Sequence, residues 1–153
     1  MRLRHLPLIA GIVLVSACQP GGPSRQAASP ASMAATEANA EFELSTRLMN
    51  GAGVAKDPAA GAAILERLAQ QGNANAQAVI GEYYLIGAGV ERRPETAAVW
   101  LQKAADQNNI FAQVSLAYLY MRGVGVKQDY ARAMQLATAA ANKGDPAGEN
   151  AVG

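Results

Sequence analysis

Histidine and cysteine each occur once in the 153 residues, and aromatic side chains make up only 5%. His5 and Cys18 both lie in the first eighteen positions, so the rest of the chain has neither an imidazole nor a thiol. That excludes imidazole general bases, Ser–His and Cys–His nucleophiles, ordinary zinc sets and internal disulfides from the remainder. The serines beyond that point are Ser24, Ser29, Ser32, Ser45 and Ser115, and none stands in a nucleophile-elbow or Ser-x-x-Lys setting. Glu41 with Glu43, and Glu91 with Glu95, read as solvated faces or loop charges rather than an acid–base pair. Charge of either sign is also scarce: the formal net charge is +1. Setting aside Arg2 and Arg4 leaves 11 basic residues (13 − 2) against 12 acidic ones, a net of −1. Such a balance lacks the basic footprint of a nucleic-acid binder.

What is abundant is alanine. Half of the residues are apolar, much of that alanine, which favours close-packed helices over sheets of bulky β-branched strands. The prior is an all-α fold, and 153 residues suffice for one domain with a core.

The chain starts "MRLRHLPLIAGIVLVSAC": a basic head, an apolar run from Leu6 to Val15, then small residues, the three-part pattern of a secretory signal over 1–17. Spanning a bilayer takes about 20 apolar residues, and this run is shorter and holds Pro7 and Gly11. From Gln19 to about Thr36 the chain is rich in proline, glycine and serine, so 18–37 reads as a flexible tether with a mean reach of roughly 23 Å.

Beyond it a period governs the chain. "GAGV" begins at Gly51 and again at Gly87, and "GVGV" begins at Gly123. The three segments 38–73, 74–109 and 110–145 align without a gap at a 36-residue spacing. Gapless repetition at that period predicts a solenoid of helix–turn–helix units. In the second copy Ala76, Ile80, Tyr83 and Tyr84 recur at helical spacing before the glycines, as do Ala97, Trp100, Leu101, Ala104 and Ala105 after them.

The punctuation agrees. Gly51, Gly87 and Gly123 suit the left-handed residue that ends a helix. Pro58, Pro94 and Pro146 suit a first helical position, with Asp57, Asp129 and Asp145 as caps and Arg93 as the exception. Ser45, Gly81 and Ala117 share one position inside the first helix of each unit, where a small residue implies close approach of the second helix. "DPAGENAVG" restarts the pattern, so 146–153 is expected to form a partial capping helix. The glycine pairs follow helices rather than strands, which argues against a phosphate-binding loop.

Two resemblances follow from these residues. "VSAC" resembles the lipobox of bacterial lipoproteins, which implies lipidation of Cys18 and a membrane anchor. Gln19 after the cysteine implies the outer membrane, facing the periplasm. "AQAVIGEYYLIGAGV" with "AAVWLQKAADQ", and "AQVSLAYLYMRGVGV" with "DYARAMQLATAAANKG", resemble the Sel-like repeat, a relative of the tetratricopeptide repeat. The first copy departs most, with Glu41 in place of glutamine and Leu48 in place of tyrosine.

The repeat resemblance implies a right-handed α-solenoid that acts as a non-catalytic interaction scaffold with no cofactor. Its concave face, carried over from tetratricopeptide geometry, would hold Phe42, Thr46, Met49 and Asn50, then Ala78, Glu82, Leu85 and Ile86, then Phe111, Val114, Tyr118, Met121 and Arg122. The implied partner is another envelope protein, engaged through one helix or peptide segment. The alternative is a hydrolase or ligand-binding protein acting on β-lactams or the cell wall, as in cysteine-rich relatives, whose disulfide pairs this chain lacks.

Overall fold

The computed structural model describes residues 30–144. The signal segment, Cys18, the start of the tether and the capping segment 146–153 lie outside the described residues. Those described form six helices: α1 Pro30–Asn50, α2 Pro58–Gln70, α3 Ala74–Ile86, α4 Pro94–Asp106, α5 Ile110–Arg122 and α6 Tyr130–Gly144. Each packs on the next, and α3 also touches α5, the adjacency of an α-solenoid.

One boundary departs from expectation. α1 starts at Pro30, so the tether expected to run through residue 37 is helical from that proline onward. The stretch "ASMAATEANA" is rich in the best helix former, and Thr36 Oγ1 donates to the Ser32 carbonyl at 2.9 Å. Residues 31–37 are exposed, and Ala38 is the first to pack on the core.

The turns between the paired helices form as the glycines predict. Gly51, Gly87 and Gly123 all have positive φ, and the Gly87 and Gly123 amides donate to the Tyr83 and Leu119 carbonyls, both at 2.8 Å. Asp57 accepts from the Ala60 amide at 3.0 Å and Asp129 from the Arg132 amide at 2.9 Å, while Arg93 makes no side-chain cap bond. The first helices of the second and third units are capped as well: Asn73 and Asn109 accept from the Ala76 and Ala112 amides, each at 3.0 Å. Asparagine one position before the helix was legible as a cap signal, since it satisfies one of the four orphan amides.

The second glycine of each pair has a separate cause. A Cβ on Gly89 would stand 2.1 Å from the Pro58 carbonyl oxygen, and one on Gly125 would stand 2.2 Å from that of Pro94. Both oxygens belong to the start of the previous unit's second helix. The first glycine thus ends a helix, and the second lets one unit's turn lie against its predecessor. Gly53 has no predecessor, and its Cβ would meet only the Arg47 side chain.

Inside each unit the expected close approach is present: a Cβ on Gly81 would lie 2.8 Å from Leu101 Cγ. The core consists of two clusters, one built on Leu65, Leu68 and Ile80, the other on Leu101, Leu116 and Leu119.

Buried glutamines tie the units together. Gln77 Nε2 donates to the Ala69 carbonyl at 3.0 Å and Gln113 Nε2 to that of Ala105 at 3.3 Å, each reaching back to the preceding unit. Glu41, at the same position in the first unit, has no unit behind it and pairs with Arg67 at 3.0 Å. The first unit's departure from the pattern is therefore the substitution suited to a solenoid end, where a buried amide donor would have nothing to bond.

Candidate interaction surface

Exposed large apolar side chains gather on the third unit: Ile110, Phe111, Val114, Tyr118, Met121, Tyr130 and Met134 all lie between α5 and the first half of α6. Two clefts flank α5 there. The first, of about 530 Å³, lies between α3 and α5 and is lined by Glu82, Leu85, Ile86, Arg92, Val114, Ser115, Tyr118, Leu119 and Val124. The second, of about 520 Å³, lies between α5 and α6 and is lined by Val114, Ala117, Tyr118, Met121, Tyr130, Ala133, Met134 and Ala137. Val114 and Tyr118 border both and form the ridge between them.

The repeat register explains the second cleft. Val114, Met134 and Ala137 stand where the preceding unit has Ala78, Ala98 and Leu101, which are at most 5% exposed. Those three belong to one cluster with Ala112, Leu116 and Leu119 of α5. The third unit presents the matching surface uncovered, with Val114 55% and Met134 69% exposed. Ala137 in place of leucine leaves the space beside Ala117 that Leu101 fills beside Gly81.

The residues assigned from the sequence therefore divide. Glu82, Leu85, Ile86, Val114 and Tyr118 come together in the first cleft, and Met121 joins the second. Phe111 is exposed on α5 outside both linings, and the Arg122 guanidinium stacks over the Tyr118 ring at 5.5 Å. Three assignments are corrected. Met49 is buried, with Cγ 3.0 Å from where a Gly61 Cβ would be; Phe42 packs on the Leu65 cluster; Ala78 is buried in the α4–α5 cluster. Each faces a neighbouring helix: Met49 packs on α2 of its own unit, Phe42 on α2 and α3, and Ala78 on α4 and α5.

Sequence reasoning missed Arg92, Ser115, Leu119 and Val124 in the first cleft, and Ala117, Tyr130, Ala133, Met134 and Ala137 in the second. Comparison of the units shows that Tyr130, Met134 and Ala137 depart from Pro94, Ala98 and Leu101, but not that they line a cleft. Arg92 is placed by the turn: its Nε donates to the Leu85 carbonyl at 2.8 Å, which no motif announces.

The electrostatics are mild. Tyr84 has its pKa raised by its hydrogen bond to Glu66 and, secondarily, by burial, while burial alone raises Tyr83. Both lie away from the clefts. Among the described residues no group of three or more His, Cys, Asp or Glu could hold a metal ion, and no helix is long and apolar enough to cross a membrane.

Paired helices at a 36-residue period, locked by glycine turns and inter-unit glutamines, define an all-α solenoid repeat protein. The sequence profile of the Sel1 repeat matches residues 38–73, 74–109 and 110–145, so the chain belongs to the Sel1 repeat family. Proteins of this family are generally protein-interaction scaffolds.

Among solved structures, a protective antigen of uropathogenic Escherichia coli displaying an SLR fold is 31% identical, with a TM-score of 0.69 over 76% of this chain and 25% of its own. A Sel1 repeat protein from Oxalobacter formigenes is 36% identical, with a TM-score of 0.65 over 77% of this chain and 35% of its own. This chain thus spans a quarter to about a third of the length of those two proteins. Cysteine rich protein B of Helicobacter pylori shares the fold, with a TM-score of 0.60 at 18% identity, over 77% of this chain and 91% of its own. No curated protein sequence matches the chain.

Proposed function

We propose that this protein is a non-catalytic scaffold of the bacterial cell envelope, held to a membrane by lipid on Cys18 and binding another envelope protein through the clefts beside α5. The observation that carries the binding reading is the concentration of exposed apolar side chains on one unit. Soluble monomers seldom leave such a contiguous patch uncovered, and a patch set in grooves is what a partner's helix or peptide segment needs. The family's general role as an interaction scaffold supports the same reading. The lipid anchor rests on "VSAC" and the apolar run before it. Two or more acyl chains, at about 0.8 kcal/mol per buried methylene, make an anchor stable. An outer-membrane position facing the periplasm rests on Gln19.

In-cell crosslinking followed by mass spectrometry tests the binding reading. Tyr118→Ala with Phe111→Ala, both exposed, is expected to remove the crosslinked partner while helicity stays intact. Unchanged crosslinking would place function elsewhere on the solenoid. For the anchor, Cys18→Ala is expected to abolish incorporation of labelled palmitate, and retained label would refute it.

A further inference from the structure

The clefts beside α5 carry information about what they bind, and this inference rests on the interaction reading above. In the preceding unit the equivalent surface is covered by a helix, α5, which buries Ala112, Leu116 and Leu119 against α4. A surface built to receive a helix there is, by repetition, the same surface on the third unit. That equivalent surface is the cleft between α5 and α6, and the ridge of Val114 and Tyr118 separates it from the cleft between α3 and α5. A helix laid across the ridge would present residues i and i+7, about 10 Å apart on one face, toward the two clefts.

The charge of that helix follows from which cations lack a partner. Each of the first two units carries three cations and four carboxylates, whereas the third, 110–145, carries Arg122, Lys127, Arg132 and Lys143 against Asp129 and Asp145. Asp129 is engaged as a helix cap. Elsewhere Arg67 pairs with Glu41 and Arg93 with Glu91. Arg92 in the first cleft bonds only a backbone carbonyl, and Arg122 stacks on Tyr118, which lines that cleft; neither meets a carboxylate. Glu82 on the α3 wall is a single carboxylate against these two guanidinium groups.

We infer that the clefts accept an acidic amphipathic helix, with apolar residues at i and i+7 entering the two clefts and carboxylates meeting Arg92 and Arg122. A second copy stacking head to tail fits poorly. The equivalent face of α1 carries Glu41, paired with Arg67, and Arg47 where Leu119 stands two units later.

Fluorescence anisotropy of the full chain carrying Cys18→Ser tests this with two labelled peptides, a leucine–glutamate amphipathic helix and its leucine–lysine counterpart. At low salt the acidic peptide is expected to bind about tenfold tighter or more, and that preference should shrink as salt rises. Arg122→Glu and Arg92→Glu should each remove the preference, with the circular dichroism spectrum confirming the fold. Equal binding of both peptides, each weakened by Tyr118→Ala, would keep the interaction reading and overturn the acidic helix. No binding by either overturns both. Two results would assign the surface to another occupant and likewise overturn the inference. One is binding that appears only after removal of residues 145–153. The other is self-association in sedimentation that Met134→Glu abolishes.

Discussion

A missing methyl group sets how closely successive units stack. Gly89 and Gly125 combine positive φ with a carbonyl oxygen in the place a Cβ would take, so both backbone strain and steric overlap oppose substitution. Gly125→Ala is expected to destabilise the protein by about 2 kcal/mol or more, whereas Gly53→Ala, with only a flexible arginine nearby, should cost about 1 kcal/mol. Urea titration of the two variants checks the difference, and equal losses would mean the inter-unit contact does not matter. At the same scale, the tyrosines give stability a pH dependence. Tyr84 and Tyr83 hold their protons more tightly folded than unfolded, so their contribution is full below about pH 10 and declines as pH rises through the raised folded values. Denaturation between pH 8 and pH 11 should show that decline, reduced by Tyr84→Phe.

At the scale of the element, each helix is short, and caps and packing hold it. Thirteen-residue helices such as α3 and α5 are marginal alone, so the side-chain oxygens of Asn73 and Asn109 matter. Replacing either by alanine is expected to cost about 1 kcal/mol. α4 begins without a side-chain cap at Arg93, so Arg93→Asp should stabilise it by a few tenths to about 1 kcal/mol, net of losing the exposed Glu91 pair. Thermal melts of the three variants check both signs. The element scale also explains α1: an alanine-rich approach with no helix breaker after Pro30 continues the first repeat helix outward, turning part of an expected tether into a projecting helical stalk.

For the molecule as a whole, stability is a sum of unit and interface terms, and the two outer helices each lack one neighbour. Hydrogen exchange should therefore be slowest in α3, α4 and α5 and fastest in the exposed first turns of α1 and along α6. Uniform protection would contradict a stack of units joined only to their neighbours. The same asymmetry leaves one face of the third unit open. The first unit carries an exposed Glu41–Arg67 pair on its free face, while the third leaves leucine-sized space and bulky apolar residues open.

Much of this was settled by the chain itself. The period, the left-handed glycines, the aspartate caps and the small residue inside each first helix are local or repeating signals, because they answer to backbone geometry and to the nearest helix. Phe42, Met49 and Ala78 were misassigned, and Met134 and Arg92 missed, because exposure depends on which helices, of the same unit or the next, pack against each position and on how a turn places a side chain. One helical position can be core in one unit and surface in another. Sequence thus determined the units and their turns through short-range sterics and hydrogen bonding. Only tertiary structure decided which face remains open, since burial is a property of neighbours in space.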